Sequence, residues 1–258
     1  MKEWQTQRES PPKVETPLET LAESSPLRPI RRPVYPRLII LDEGSDEAGE
    51  IARIRTDALT LGRTNCDLSF PAESLMSGKH ARISLSQTTP GSWSWTLDDL
   101  SSRHGVFIRL REFSISPGNE LLIGGTKLVV HGDMAVTRDF SAGVSSFEPY
   151  LAPPNFIRKM PELEVQAYQF SQETSSIPMT KRKMKLGRLG IAEAFFSVDP
   201  FVEPEHAVLT RDEKQGWKVR DLDSLNGVWL RVSRAFLSSK LEFLLGEQRF
   251  RFDLPVPY

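Results

Sequence analysis

The sequence predicts an all-β protein in which two similar domains follow each other along the chain. Two observations lead to this prediction. Short apolar segments of strand length are separated by Gly, Pro, Asp, Asn or Ser, and no stretch keeps a sustained 3.6-residue apolar period. The same short motifs also recur 122–126 positions later in the chain. Many short strands with frequent turn signals favour an antiparallel sandwich or barrel in each copy.

The N-terminal segment differs in composition from the rest of the chain. Residues 1–36 hold seven of the 19 prolines and almost no apolar periodicity, so they are expected to form a disordered tail. The apolar run 37–41 is the first predicted strand, and a turn at 42–45 ends it. Further strands are predicted at 52–56, 58–61, 81–86, 93–98, 106–110, 120–123 and 126–131, and β-type segments resume at 162–170.

A second loose segment, residues 134–160, contains several prolines and is interpreted as a linker between domains. The first copy is therefore expected at 37–133 and the second copy at 161–258. Three further side chains, Trp93, Trp95 and Leu100, are interpreted as packing residues of the first copy.

The repeat is the strongest sign of this organisation. Leu61-Gly62-Arg63 recurs as Leu186-Gly187-Arg188, and His80-Ala81 recurs as His206-Ala207. From Trp95 onward the offset stays at 122. The matched pairs are Trp95 and Trp217, Asp99 and Asp221, Ser102 and Ser224, Gly105 and Gly227, Arg109 and Arg231, and Gly124 and Gly246. So many matches at one offset are improbable by chance, so the copies are interpreted as homologous.

Composition limits the classes of function. The 33 Lys and Arg residues nearly balance 34 Asp and Glu residues, and a net charge of −1 argues against a surface built for nucleic acid or an acidic membrane. The single cysteine, Cys66, excludes a disulfide framework, and the four histidines have no partners at metal-ligand spacing, so no metal or cofactor is expected. Without an apolar leader or membrane-length segment, the chain is expected to be cytoplasmic.

Three islands of the first copy carry a family resemblance. They are Gly62-Arg63, then Ser77-Gly78-Lys79-His80, then Asp99-Leu100-Ser101-Ser102-Arg103-His104-Gly105. This pattern resembles the forkhead-associated (FHA) domain, a reader of phosphothreonine peptides. The resemblance covers nearly everything outside the tail and the linker, and it occurs twice. It implies a twisted sandwich of two antiparallel sheets in each copy, with the peptide held by loops at one end.

A phosphate ester is close to dianionic and offers strong acceptor oxygens, so its reader needs permanent cations and donors. In the first copy these are expected from Arg63, Ser77 and Lys79, with Arg103 and His104 in the third island. The resemblance gives a second set of residues the role of holding the loops in place. This set is Gly62, His80, Asp99, Ser102 and Gly105.

The first copy departs from the family pattern at His104, where the family has Asn, and at Val106, where it has Thr. A neutral imidazole cannot act as donor and acceptor in the way that an amide does, but a protonated one adds positive charge. Phosphopeptide affinity is therefore expected to rise below about pH 6.5, as His104 protonates.

The second copy departs further, although it keeps Arg188, His206, Asn226 and the loop-fixing residues. Glu203 stands where the first copy has Ser77. A carboxylate repels phosphate and offers no donor, and it could instead pair with Arg188. The second site is therefore expected to have lost phosphate binding.

The sequence thus predicts a non-enzymatic adaptor in kinase-dependent signalling that binds a phosphothreonine-containing protein or peptide through its first copy. Its partner could also be its own tail, where Thr6, Thr16 and Thr20 lie among Pro and Glu. The alternative is a structural or assembly protein whose domains make phosphate-independent contacts. An enzyme has little support, because no nucleophile elbow, phosphate-binding glycine loop or zinc-protease motif is present.

Overall fold

The structure is a computed structural model, and it describes residues 35–41, 49–132, 146–151, 162–167, 174–188, 194–195, 199–212 and 216–254. These residues form 20 strands and no helix, which confirms the all-β class. The strands up to residue 131 are β1 (Arg37–Leu41), β2 (Ile51–Arg53), β3 (Ala58–Gly62), β4 (Leu68–Ser69), β5 (Ala81–Thr89), β6 (Ser92–Asp99), β7 (Val106–Arg109), β8 (Glu112–Ile115), β9 (Glu120–Ile123) and β10 (Thr126–His131).

The strands of the second part follow the same order. They are β11 (Phe147–Pro149), β12 (Glu162–Ala167), β13 (Thr174–Pro178), β14 (Lys183–Gly187), β15 (Ala194–Phe195), β16 (Ala207–Asp212), β17 (Gly216–Asp221), β18 (Val228–Phe236), β19 (Leu241–Leu245) and β20 (Gln248–Asp253). The described part of the chain contains no helix long and apolar enough to cross a membrane.

Most predicted strands coincide with observed ones. Up to residue 131 the missed strands are β4, which has two residues, and β8, which holds only two apolar residues, Phe113 and Ile115. No strand bounds were predicted beyond residue 170. Strand β11 falls within the expected linker and pairs with β18. The predicted tail up to residue 34, the turn at 42–45 and most of the linker lie outside the described residues.

The strands before each third island have the same arrangement in both copies. In the first copy, β3 pairs with β4 and β5, and β5 pairs with β6. In the second copy, β14 pairs with β15 and β16, and β16 pairs with β17. This correspondence is the structural counterpart of the sequence repeat, and it places the loops that carry the islands at the same strand ends.

The strands that follow the third island are exchanged between the copies: in each copy they pair with the early strands of the other copy. Strand β1 pairs with β20 of the second copy, and β12 pairs with β10 of the first copy. Likewise β6 pairs with β18, and β17 pairs with β8. The crossing strands β7 and β18 pair with each other, and each also joins the other copy's next strand, β7 with β19 and β18 with β9.

Side-chain packing follows the exchange. Phe250 and Phe252 of the second copy are fully buried. The ring of Phe70 meets Phe250 edge to face at 5.3 Å between centroids, and the ring of Trp95 lies 6.3 Å from that of Phe252. The core around the first copy's early strands is therefore completed by aromatic residues from more than 150 positions later in the chain. The described residues from Tyr35 onward form one compact unit.

Two side chains interpreted as packing residues lie at the surface instead. Trp93 is 60% exposed and Leu100 is 37% exposed. Trp93 lies near the turn at Gly91 in the β5–β6 hairpin, whose tip is exposed on both strands. Only the neighbouring Trp95 reaches far enough along the hairpin to pack on the core.

Candidate functional site

Gly62 and Arg63 stand at the end of β3, against the loop that carries Ser77 and Gly78. The Arg63 amide donates to the Ser77 carbonyl at 2.9 Å. A β-carbon at Gly62 would collide with the Gly78 carbonyl, so the close approach of the two loops requires glycine here. The contact holds the backbone of Arg63 against that of Ser77, and the Arg63 side chain is exposed.

Ser77 joins the second island to the third. Its hydroxyl oxygen accepts a hydrogen bond from the Arg103 amide at 3.0 Å. Because the oxygen accepts this bond, its own hydrogen remains able to donate to an incoming anion. The side chains of Lys79 and Arg103 are exposed, so two cations belong to the loops that Ser77 connects.

His80 fixes the loops from inside the fold. Its ring is fully buried, Nδ1 accepts from the Ser77 amide at 3.1 Å, and Nε2 faces the Gly105 carbonyl at 2.9 Å. This geometry assigns the proton to Nε2, which donates to Gly105. Burial lowers the pKa of His80 below its usual value, against the opposing effects of the Gly105 bond and Asp99. A neutral, buried His80 connects the two loops and is not exposed at the surface.

The third island is a self-bonded loop. The Asp99 carboxylate accepts from the Ser102 amide at 2.9 Å, and the Ser102 hydroxyl accepts from the Gly105 amide at 3.0 Å. Gly105 has a φ of +86°, a left-handed conformation that favours glycine. These bonds fix the backbone on both sides of Arg103 and His104.

His104 is half-buried at this turn. Burial is the largest cause that lowers the pKa of His104, followed by the positive charges of Arg103, Lys127 and Arg231. The imidazole is therefore neutral around pH 7, and any gain of charge starts at a lower pH than the sequence led us to expect. Among the described residues, no group of three His, Cys, Asp or Glu side chains could hold a metal ion.

The second copy reproduces the backbone of this site. The Arg188 amide donates to the Glu203 carbonyl at 2.8 Å, and the Glu203 amide donates to Nδ1 of His206 at 3.1 Å. Nε2 of His206 lies 2.9 Å from the Gly227 carbonyl, and the Ser224 hydroxyl accepts from the Gly227 amide at 3.1 Å. The loops that carry the three islands form what we call the recognition end of each copy. The two recognition ends therefore share the same frame of backbone hydrogen bonds, and they differ in their side chains.

Those side chains are engaged internally in the second copy. The Glu203 carboxylate accepts from the Leu225 amide at 2.7 Å, the bond that Ser77 makes with Arg103 in the first copy. The Asn226 amide group donates to the Phe201 carbonyl at 2.8 Å. Arg188 is exposed, and the Glu203 carboxylate is bonded to the Leu225 amide. An internal carboxylate thus lies where a phosphate-reading site would present a hydroxyl donor.

Sequence reasoning missed four residues that connect the two ends. Arg231 of the second copy lies against Gly105 of the first, and Arg109 of the first copy lies against Gly227 of the second. Each arginine pairs with a glutamate, Arg231 with Glu120 and Arg109 with Glu242. The repeat matches Arg109 with Arg231, but one copy's sequence does not show that each contacts the other copy.

The loops of both copies lie in regions that match one known domain family. The profile of the FHA domain family matches residues 59–124 and 184–246, together half of the 258 residues. No curated protein sequence matches the chain.

The solved structures that are similar to the chain include the following three. The FHA domain of the CT664 protein from Chlamydia trachomatis shares 10% identity over 86% of this chain and 99% of that one, with a TM-score of 0.32. Mycobacterium tuberculosis EmbR in complex with a low-affinity phosphopeptide shares 21% identity over 33% of this chain and 23% of that one, with a TM-score of 0.20. A structure from an analysis of phosphothreonine-dependent FHA domain interactions shares 20% identity over 37% and 93%, with a TM-score of 0.23.

Proposed function

Because this chain belongs to the FHA domain family, whose members are protein-interaction modules, we propose that it is a non-enzymatic adaptor that reads phosphothreonine peptides through its first copy. The proposal assigns phosphate contacts to the Arg63 guanidinium and the Ser77 hydroxyl. Lys79, Arg103 and His104 complete the surface around them.

One observation carries this proposal, the contrast between Ser77 and Glu203 in matching frames. Both side chains accept a hydrogen bond from the amide at the same place in the third island, at 3.0 Å and 2.7 Å. Ser77 keeps a hydrogen to donate, whereas Glu203 carries a negative charge into the place that phosphate would take. In this proposal the first copy binds the phosphate, and the second copy contributes the exchanged strands that complete the fold.

Charge supports a local site rather than a general attraction. Residues 37–133 hold 10 basic and 13 acidic side chains, so the field of the whole domain does not collect anions. Arg63, Lys79 and Arg103 are nevertheless all exposed on connected loops. Such a cluster binds a single phosphate group by charge-assisted hydrogen bonds, and it is too small to follow a polyanion.

A second candidate function rests on the recognition end of the second copy. Phe201 is 52% exposed and Leu225 is 70% exposed, and both flank the internal Glu203. Exposed apolar side chains at a loop end are typical of protein contacts. This observation favours a phosphate-independent assembly role for the second copy.

The test is a degenerate phosphothreonine peptide library applied to the wild type, Arg63→Ala and the matched Arg188→Ala. Binding that is lost in Arg63→Ala and kept in Arg188→Ala supports the adaptor. Equal loss in both variants would assign the phosphate to both copies. No binding by the folded wild type would overturn the proposal and leave the assembly role.

The chain's own tail is a further candidate ligand in this proposal. A phosphothreonine at position 6, 16 or 20 would be tethered to the first copy, which raises its effective concentration. A chain phosphorylated in the tail should then bind the selected peptide more weakly than the unphosphorylated chain. Equal peptide affinity of the two forms would exclude capture of the tail.

A further inference from the structure

The turn that carries His104 is contacted by a side chain from the other copy. A β-carbon at Gly105 would collide with Nε of Arg231, so the guanidinium lies directly against the face of this glycine. His80 and Ser102 hold the Gly105 carbonyl and amide, respectively. Gly105 is thus held by two hydrogen bonds from its own copy and is contacted on a further face by Arg231 of the other copy.

Arg231 is buried and has two contacts of its own. It is 9% exposed, and Nη1 lies 3.0 Å from the carboxylate of Glu120, a residue of the first copy on β9. Its guanidinium also stacks on Tyr150 at 3.8 Å from the ring centroid. The same carboxylate oxygen of Glu120 lies 3.6 Å from Nζ of Lys127. A planar guanidinium that is paired on its edge and stacked on its face has few alternative positions.

The second copy has the reciprocal arrangement. Arg109 lies against Gly227, and its Nη1 is 3.1 Å from the Glu242 carboxylate. Its Nη2 also donates to the carbonyls of Ser224 and Leu225, at 3.1 Å and 3.0 Å. The exchange of strands therefore places one arginine of each copy behind the recognition loop of the other.

We propose that Arg231, held by Glu120, is a positioning residue for the phosphate site of the first copy. This proposal rests on the proposed function, because it states that a residue of the second copy positions the phosphate site of the first copy. Arg103 and His104 directly precede Gly105. If the Arg231 guanidinium is removed, the turn can move into the space that it filled, and both residues then move with the turn. A binding residue that is displaced loses affinity without losing its own chemistry.

The decisive variant is the double substitution Arg231→Met with Glu120→Gln, which removes both charges and so leaves no unpaired buried carboxylate. Its matched control is Arg109→Met with Glu242→Gln in the reciprocal cluster. Arg231→Lys keeps the charge but not the planar fork. All variants are prepared in the full chain, and circular dichroism and thermal melting verify folding.

The first readout is affinity for the selected phosphothreonine peptide, by calorimetry. The Arg231/Glu120 variant should bind about tenfold more weakly than the wild type, with Arg231→Lys between them. The Arg109/Glu242 control should bind as the wild type does. Wild-type affinity in the folded Arg231/Glu120 variant, or equal loss in the control, would overturn the proposal.

The second readout separates this proposal from the proposed function. The backbone amide resonances of Arg103, His104 and Gly105, followed by NMR without peptide, should shift in the Arg231/Glu120 variant and in Arg231→Lys, which keeps the charge, and stay unchanged in the control. If the wild type binds no peptide, the proposed function fails, and these resonances still decide the positioning role. Unchanged resonances of this turn in both Arg231 variants would then overturn it.

Discussion

Ser77 and Glu203 occupy equivalent positions, and the backbone around them is bonded in the same way. The sequence predicted that Glu203 removes phosphate binding, but it did not predict where the carboxylate goes. An ion pair with Arg188 was one expectation, whereas the carboxylate accepts from the Leu225 amide. The amide is fixed by the loop, while an ion pair with an exposed arginine gains little in water and costs side-chain entropy.

The frame of the second copy predicts that a single substitution restores a phosphate site. Glu203→Ser removes the negative charge and supplies a hydroxyl beside the retained Arg188 and Asn226. In an Arg63→Ala background, this change should raise phosphothreonine-peptide affinity by about tenfold. Calorimetry measures the gain, and further addition of Arg188→Ala should abolish it. A gain that survives Arg188→Ala would show that the peptide binds elsewhere.

The lowered pKa of His104 predicts the pH dependence of the proposed site in the first copy. A histidine whose pKa lies below its usual value is neutral at pH 7, so its charge cannot contribute until the pH falls further. The phosphate itself loses charge near about pH 6, so each affinity is divided by that of His104→Asn at the same pH. This ratio should stay flat from about pH 7.5 to about 6.5 and favour the wild type only below that range. A ratio that changes around neutral pH would contradict the lowered pKa.

At the scale of the strands, the sequence predicted where most elements lie but not how they pair. Periodicity and turn residues are local signals, so β3, β6, β9 and β10 could be predicted within one or two residues. The partner of a strand depends on packing across the whole chain. A strand such as β20 matches its own copy and the other copy equally well in pattern, because the copies are repeats.

The loops of the site were predictable because they depend on local sequence signals, whereas the pairing of the strands does not. The islands are short and close in sequence, so Ser77, His80 and Gly105 meet through the strands of one copy. Arg231 and Glu120 act across the exchange, and their distance in the sequence hides the contact. The repeat of Arg109 and Arg231 was the one available signal, and it shows equivalence rather than contact.

The exchange predicts that a core residue of the second copy stabilises the sandwich that carries the first site. Phe250 is fully buried and packs on Phe70 and on Phe243, whose rings lie 5.3 Å and 5.2 Å away. Phe250→Ala should lower the free energy of unfolding by about 3–5 kcal/mol, because it leaves a cavity in this core. Denaturant unfolding monitored by the fluorescence of Trp95, with the other tryptophans replaced by Phe, reports on this sandwich. A change of less than about 1 kcal/mol would contradict the packing.

For the whole molecule, the exchange makes the two copies parts of one folded unit. Pairing of β1 with β20 and of β10 with β12 joins strands that contiguous domains at 37–133 and 161–258 would keep apart. The proposed phosphate site of the first copy therefore has residues of the second copy packed against it. The proposed adaptor role fits this arrangement, because one compact unit carries two loop ends with different side chains.

Cleavage of the chain between the copies tests this unity directly. A site-specific protease sequence is placed between residues 134 and 145, outside the described strands, and is cut after folding. The two fragments should elute together at the size of the intact chain and keep the peptide affinity, because the exchanged strands bury a shared core. Fragments mixed from denaturant should regain binding together, whereas the first fragment alone should not. Fragments that separate in native buffer, with the first still binding peptide, would show that each copy folds on its own strands.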